Sequence, residues 1–302
     1  MNNQIDETYV ETNQIRLHTV QAGPPGGPLV ILLHGFPEFW YGWNKQIRPL
    51  AEAGFRVLAP DLRGYNLSDK PQDISAYRLD HLVDDVTGLI EAAGREKAVL
   101  VGHDWGALVA WVAAVLRPER LEKMAILNGP YPLAGIQAAL RDPTQLLRSS
   151  YVLFFQLPLF PEAILRNNNW EMLVKGMRRS SRPRTFSEED FRQYRQARRK
   201  KDAMTSMLNY YRAFLRRPLS LPRKPRISVP TLILWGVQDA ALSQATAEMS
   251  VDLCEHGELV YFEDAGHWIQ HEEAHRVNEL LLEFLRDSSG EASSRPQQAH
   301  SV

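Results

Sequence analysis

The residues in this chain best suited to chemistry stand in the run Val99-Leu100-Val101-Gly102-His103-Asp104-Trp105-Gly106-Ala107. An apolar, β-branched stretch ends in Gly-x-Asp-x-Gly and passes directly into the helix-forming segment 107–116. Strand, sharp turn and helix make an elbow that pushes its central side chain out at the top of a sheet. Gly102 and Gly106 suit such a turn, because strand and helix backbones approach too closely there for side chains. An elbow with Ser at its centre performs acyl transfer; Asp104 at the centre implies displacement at carbon by a carboxylate. The plainer alternative is that Asp104 only caps the helix starting near Trp105.

A carboxylate that becomes esterified needs a base to release it, and His is poised for that near neutral pH. Asp264-Ala265-Gly266-His267-Trp268 follows the last apolar strand, and Trp235-Gly236-Val237-Gln238-Asp239 follows the strand before it. In a parallel sheet these strand ends share one edge, where open α/β sheets bind ligands. His267 is therefore the candidate base. Asp264 is the nearer carboxylate in sequence, but two intervening residues in a tight loop align it poorly with the far ring nitrogen. Asp239 is preferred as its orienting acid; Asn128-Gly129-Pro130, after an earlier strand, holds no carboxylate. His34-Gly35-Phe36-Pro37 supplies a last element. The backbone N–H of Phe36, with that of Trp105, would form an oxyanion hole for the intermediate made when water attacks an ester of Asp104. Among the nine His, His34 and His103 read as structural.

The elements that must carry these loops alternate regularly. Residues 9–22 read as one or two edge strands and Pro24-Pro25-Gly26-Gly27 as a turn. Residues 28–33 are continuously apolar, the signature of a strand buried on both faces. A helix over 43–53 and a strand over 55–60 follow. Leu79, Leu82, Val83, Val86, Leu89 and Ile90 then mark one face of an amphipathic helix that Gly94 stops. The elbow and a strand over 124–127 complete the first half. Such alternation predicts an α/β fold with a mostly parallel central sheet covered by helices on both faces. It breaks from 131 to 226, where the composition turns helical, aromatic and strongly basic, and resumes at 229–236 and 259–262 before a final helix. Residues 1–130 and 227–287 thus form the core, 131–226 an inserted helical cap or lid, and 288–302 a Ser-, Gln- and Pro-rich tail expected to be disordered.

Length and composition bound the rest. The 302 residues, 44% hydrophobic, suffice for one large domain with an insertion. Lys and Arg number 35 against 36 acids, which gives no sign of nucleic acid as a partner. The single Cys254 excludes internal disulfides and suits a reducing cytoplasm. No secretory signal is visible at the start of the chain, and no membrane span is expected, since His103 and Asp104 interrupt the longest apolar region. No metal site or organic cofactor is signalled. The basic runs Arg178-Arg179 and Arg198-Arg199-Lys200-Lys201 read as a solvated face, with contact to an anionic membrane surface or partner the lesser alternative.

Over almost its whole length the chain resembles the α/β-hydrolase superfamily, whose chain order of nucleophile, acid and His it shares. Within that superfamily it resembles the epoxide hydrolases. The resemblance rests on His34-Gly35-Phe36-Pro37-Glu38, Gly102-His103-Asp104-Trp105-Gly106, Asp239, Gly266-His267-Trp268 and two cap segments, 150–156 and 208–212. It implies a cofactor-free enzyme hydrolysing small-molecule epoxides to vicinal diols through an ester on Asp104. It also implies that Tyr151 and Tyr211 bond the epoxide oxygen. Helical spacing adds partial support: Tyr211 shares a face with Met204, Met207, Leu208, Phe214 and Leu215, Tyr151 with Leu147, Phe154 and Phe155, whereas Tyr210 points elsewhere. A haloalkane dehalogenase using the same nucleophile is the nearest alternative; Trp105 fits either enzyme, and Trp170 would be its second halide donor, although it reads more simply as a cap core residue. Phe36 departs from the Asn that one dehalogenase group carries. A non-catalytic ligand receptor on the same fold is the alternative from another class. Whether the protein is a monomer or a homodimer is open at this level.

Overall fold

The computed structural model describes residues 5–287 apart from residue 142; the tail expected beyond 287 lies outside the described residues. Eight strands form one sheet: β1 (Asp6–Thr12), β2 (Ile15–Ala22), β3 (Leu29–Leu33), β4 (Arg56–Pro60), β5 (Ala98–His103), β6 (Leu121–Leu127), β7 (Thr231–Gly236) and β8 (Gly257–Phe262). Their order is β1-β2-β4-β3-β5-β6-β7-β8. Only β2 runs against its neighbours β1 and β4; every other pairing is parallel. This is the α/β-hydrolase fold, with the mostly parallel sheet that the alternation predicts.

Four helices lie in the first half: α1 (Asn44–Glu52), α2 (Leu79–Ala92), α3 (Trp105–Leu116) and, after β6, α4 (Pro132–Arg141). The chain then stays helical through α5 (Pro143–Arg148), α6 (Ser150–Phe154), α7 (Phe160–Arg179), α8 (Glu188–Arg198) and α9 (Ala203–Arg216) before returning to β7. Helix α7 is broken at Asn167–Trp170, where the backbone leaves helical dihedrals. The remaining helices are α10 (Gln244–Val251), α11 (Ile269–Glu272) and α12 (Ala274–Arg286).

Successive strand side chains point to opposite faces, so the continuous apolar run of β3 divides between two cores. Leu29, Ile31 and Leu33 pack with α2, α3 and α10 on one side. Val30 and Leu32 pack with α1 and α12 on the other. The face read from the spacing in α2 is the buried one. A third cluster, with Phe39, Phe191, Tyr194 and Trp268, seals α7 and α8 of the insertion against the core loops. No helix among the described residues is long and apolar enough to cross a membrane.

One basic residue departs from the solvated-face reading. Arg198 is 1% exposed, with its guanidinium on the Pro37 carbonyl, the Met177 sulfur and the Tyr194 ring. Phe191, Tyr194, Ala197 and Arg198 form the buried face of α8, so helical spacing, not charge, decides which basic residue turns inward.

Candidate active site

Strand β5 ends at His103, and Asp104 takes up φ 50°, ψ −115° before α3 starts at Trp105. The left-handed φ turns the Asp104 side chain out of the sheet. The turn closes only because Gly106 has no side chain: a Cβ there would sit 2.0 Å from the Leu33 carbonyl oxygen. Asp104 makes no capping bond to the helix it precedes. Its Oδ1 instead accepts from the Phe36 N–H at 2.7 Å, across the sheet edge from the loop after β3. The cap-residue alternative therefore has no bond to support it.

The loops after β7 and β8 bring the other two groups to the same edge. His267 Nδ1 donates to Asp239 Oδ2 at 2.7 Å, and Nε2 stands 3.8 Å from Asp104 Oδ2. Asp239 is held from several directions. Its Oδ1 accepts from the N–H groups of Ala241 and Leu242, and its Oδ2 accepts a further bond from Asn128 Nδ2 at 2.8 Å. Asn128 is itself locked across the end of β7, receiving the Gly236 N–H on Oδ1. Although burial alone would raise it, the Asp239 pKa is lowered by His267 and by the N–H groups of Ala241 and Leu242. For His267 burial favours the neutral ring, but the carboxylates of Asp239 and then Asp104 outweigh it and push the imidazole up to about 9.

Two phenols of the helical insertion face this group. The Tyr211 ring lies edge-on to Trp105 at 4.9 Å and to Phe36 at 5.4 Å between centroids. Tyr151 stands 5.9 Å from Tyr211. Burial, with the negative charge of Asp104 contributing, raises both pKa values, so both phenols stay protonated. Tyr210, one residue away, is committed elsewhere: its hydroxyl donates to the Arg63 carbonyl at 2.7 Å. Trp170 is buried with the apolar side chains of the insertion. The Trp105 N–H belongs to the first turn of α3, where helical N–H groups have no intrahelical acceptor. Asp264 follows β8 without the bond to His267 that Asp239 makes.

Sequence reasoning did not foresee the clamp by Asn128, or a buried polar hub behind the base. Glu38, 1% exposed, accepts from Tyr194 Oη at 2.6 Å and His271 Nε2 at 2.8 Å on Oε1, and from Gln270 Nε2 at 3.0 Å on Oε2. Gln270 also reaches His103 Nδ1 at 3.1 Å, and His103 Nε2 donates to the His267 carbonyl at 2.9 Å. Burial would raise the Glu38 pKa, yet His271 and His103 hold it well below the usual carboxylate range. A charged Glu directly after the apolar Phe36-Pro37 pair is the one signal in the sequence, and by itself it names none of these partners.

Residues 28–274 match the family model described as alpha/beta hydrolase fold. The chain is 49% identical over 280 residues to the AB hydrolase superfamily protein YfhM of Bacillus subtilis (strain 168), covering 92% of this chain and 97% of that protein. It is 36% identical to epoxide hydrolase A of Mycobacterium tuberculosis, over 92% of this chain and 97% of the relative. Among solved structures, the epoxide hydrolase of Bacillus megaterium in complex with an inhibitor superposes with a TM-score of 0.84 at 28% identity, covering 93% of this chain and 100% of that one.

Proposed function

The chain belongs to the α/β-hydrolase fold family, and from that premise we propose that it hydrolyses epoxides to vicinal diols through an ester on Asp104. One observation carries the proposal: a carboxylate with a His–Asp pair on one side and two protonated phenols on the other. Its relatives named epoxide hydrolases support it.

On this reading the two oxygens of Asp104 do different work. Oδ1 is already held by the Phe36 N–H, leaving Oδ2 to attack a ring carbon. As the new C–O bond forms, the ring C–O bond breaks and the departing oxygen takes a proton from Tyr151 or Tyr211. Phenols are stronger acids than the alcohol formed, so the transfer is downhill. The ester carbonyl then lies in the hole formed by Phe36 and Trp105. Water enters beside Nε2 of His267, which removes a proton as the water oxygen attacks the Asp104 carbonyl carbon. The tetrahedral oxyanion rests on the two N–H groups. As it collapses, the ester oxygen leaves in the diol with the proton that His267 took from water. The second water proton, left on the regenerated Asp104 carboxyl, returns to the tyrosinate, restoring the carboxylate and both phenols.

Esterification also conditions the base. Free Asp104 is one of the charges that raise the His267 pKa; once it is esterified that charge is gone, and the imidazole becomes easier to deprotonate when a base is required.

The test is capture of the intermediate. His267→Gln mixed with styrene oxide is expected to gain one substrate mass on the peptide containing Asp104, read by mass spectrometry. Bound substrate with no covalent adduct would refute the two-step scheme.

A further inference from the structure

The insertion between β6 and β7 differs from the rest of the molecule in two respects. Residues 131–226 hold 20 of the 35 Lys and Arg but only 7 of the 36 Asp and Glu, a net +13 set against −14 elsewhere. Of thirteen large apolar side chains left exposed among the described residues, eleven lie in this insertion.

The exposed residues are concentrated. Leu140, Leu147 and Leu159 are 80%, 73% and 79% exposed, and Leu146, Leu153 and Phe160 are each more than half exposed. They come from α4, α5, α6 and the start of α7, which follow one another directly. Helices α4 and α5 pack together, as do α5 and α6; the Phe154 and Phe160 rings close α6 onto α7. Arg141 and Arg148 end α4 and α5, exposed and without a carboxylate partner among the described residues. Between Ile136 and Phe160 the sequence offers a single acid, Asp142.

We propose that this face docks onto an anionic lipid surface. Apolar side chains flanked by Lys and Arg are the pattern of interfacial binding, and exposed apolar patches of this kind mark a missing partner. A second copy of the chain fits less well. Cap against cap would oppose two strongly basic surfaces. Cap against core would satisfy charge but not the leucines, because Ile5 and Tyr9 are the only exposed large apolar side chains outside the insertion among the described residues. A bilayer with acidic headgroups supplies both needs. Tyr151, 36% exposed, belongs to the same short helix α6 as Leu153, so docking brings the lipid up to the helix that carries one of the candidate site's phenols. Apolar substrates dissolved there would then enter without crossing water. The docking does not itself depend on the epoxide chemistry.

The experiment is co-sedimentation of the full chain with vesicles of phosphatidylcholine alone, or of phosphatidylcholine mixed with phosphatidylglycerol. Binding to the mixed vesicles, weaker binding to the neutral ones and release by salt are expected. Leu140→Ser combined with Leu147→Ser should weaken binding at least tenfold, given about 1.5–3 kcal/mol for burying a leucine. Arg141→Gln and Arg148→Gln should each weaken it roughly fivefold, from about 1 kcal/mol per basic side chain near an anionic surface. Thermal unfolding of the variants shows that the fold is intact. Wild-type protein left in the supernatant with mixed vesicles, or leucine variants that sediment like wild type, would overturn the proposal. So would concentration-dependent self-association that the leucine changes abolish, since the apolar face would then belong to a second copy.

Discussion

His103 donates from Nε2 to the main-chain carbonyl of His267 at 2.9 Å. The side chain before the candidate nucleophile in sequence thus holds the backbone of the candidate base, 164 residues later. Behind it, Gln270 and Glu38 carry the connection to Tyr194 on α8, so the insertion and the base share one buried polar network.

The first prediction concerns that bond. His103→Phe keeps an aromatic ring but leaves the His267 carbonyl unsatisfied, a penalty of about 1–3 kcal/mol for a buried acceptor. Because the bond positions the base and not the nucleophile, breakdown of the Asp104 ester should slow about tenfold, with its formation little changed. Rapid quenching and mass analysis measures both steps; equal slowing of the two would refute a role confined to the base.

The cap phenols provide a second. Losing both acids in Tyr151→Phe/Tyr211→Phe should reduce ester formation by about 10²–10⁴, the usual contribution of general acid catalysis. Tyr210→Phe, whose hydroxyl is spent on the Arg63 carbonyl, should cost about 1 kcal/mol of stability and leave turnover near wild type. Comparing diol formation and thermal unfolding for the two variants separates chemistry from packing.

The third is a pH profile. In the free protein the His267 imidazole is raised to about 9, so it is protonated at neutral pH. Ester breakdown needs the neutral ring and should therefore speed up as pH rises. Its midpoint should fall below 9, since esterification removes the Asp104 charge. A breakdown rate indifferent to pH would exclude His267 as the base.

Acid stability provides the fourth. Burial opposes ionisation of Glu38, but His271 and His103 hold its folded pKa well below the ordinary 4.5. A depressed folded pKa contributes stability that is fully present above the unfolded value and lost as pH falls through the folded one. Glu38→Gln should flatten this acid limb while lowering stability at neutral pH, where it unbalances the hub. Denaturant midpoints measured from neutral to acid pH test this.

Much of this arrangement was legible in the chain itself. The apolar runs that became β3, β5 and β7, and the 3.6-residue spacing of α2, follow from burial on two faces or one. The loops bearing Asp104, Asp239 and His267 follow from parallel strands ending at one edge. What remained hidden depends on contacts between distant segments. Asn128 looked inert because its value lies in bridging to Asp239, 111 residues away. Glu38 gave no hint of Tyr194, 156 residues away. The run 198–201 looked uniformly solvated because a string of charges does not say which one a helix turns inward.

Leu127 and Leu234 are paired neighbours at the ends of β6 and β7, although the whole helical insertion intervenes in the chain. Because the two strands run parallel, the chain leaves β6 at Leu127 but re-enters β7 at Thr231, beside Met124 at the opposite edge of the sheet. A replacement cassette would therefore need to span the length of the strands while leaving their registers as they are. The candidate nucleophile and base stay with the host, while Tyr151 and Tyr211, the proposed proton donors, travel with the graft. A donor segment lacking those hydroxyls should yield a chimera able to discharge a preformed ester but unable to make one.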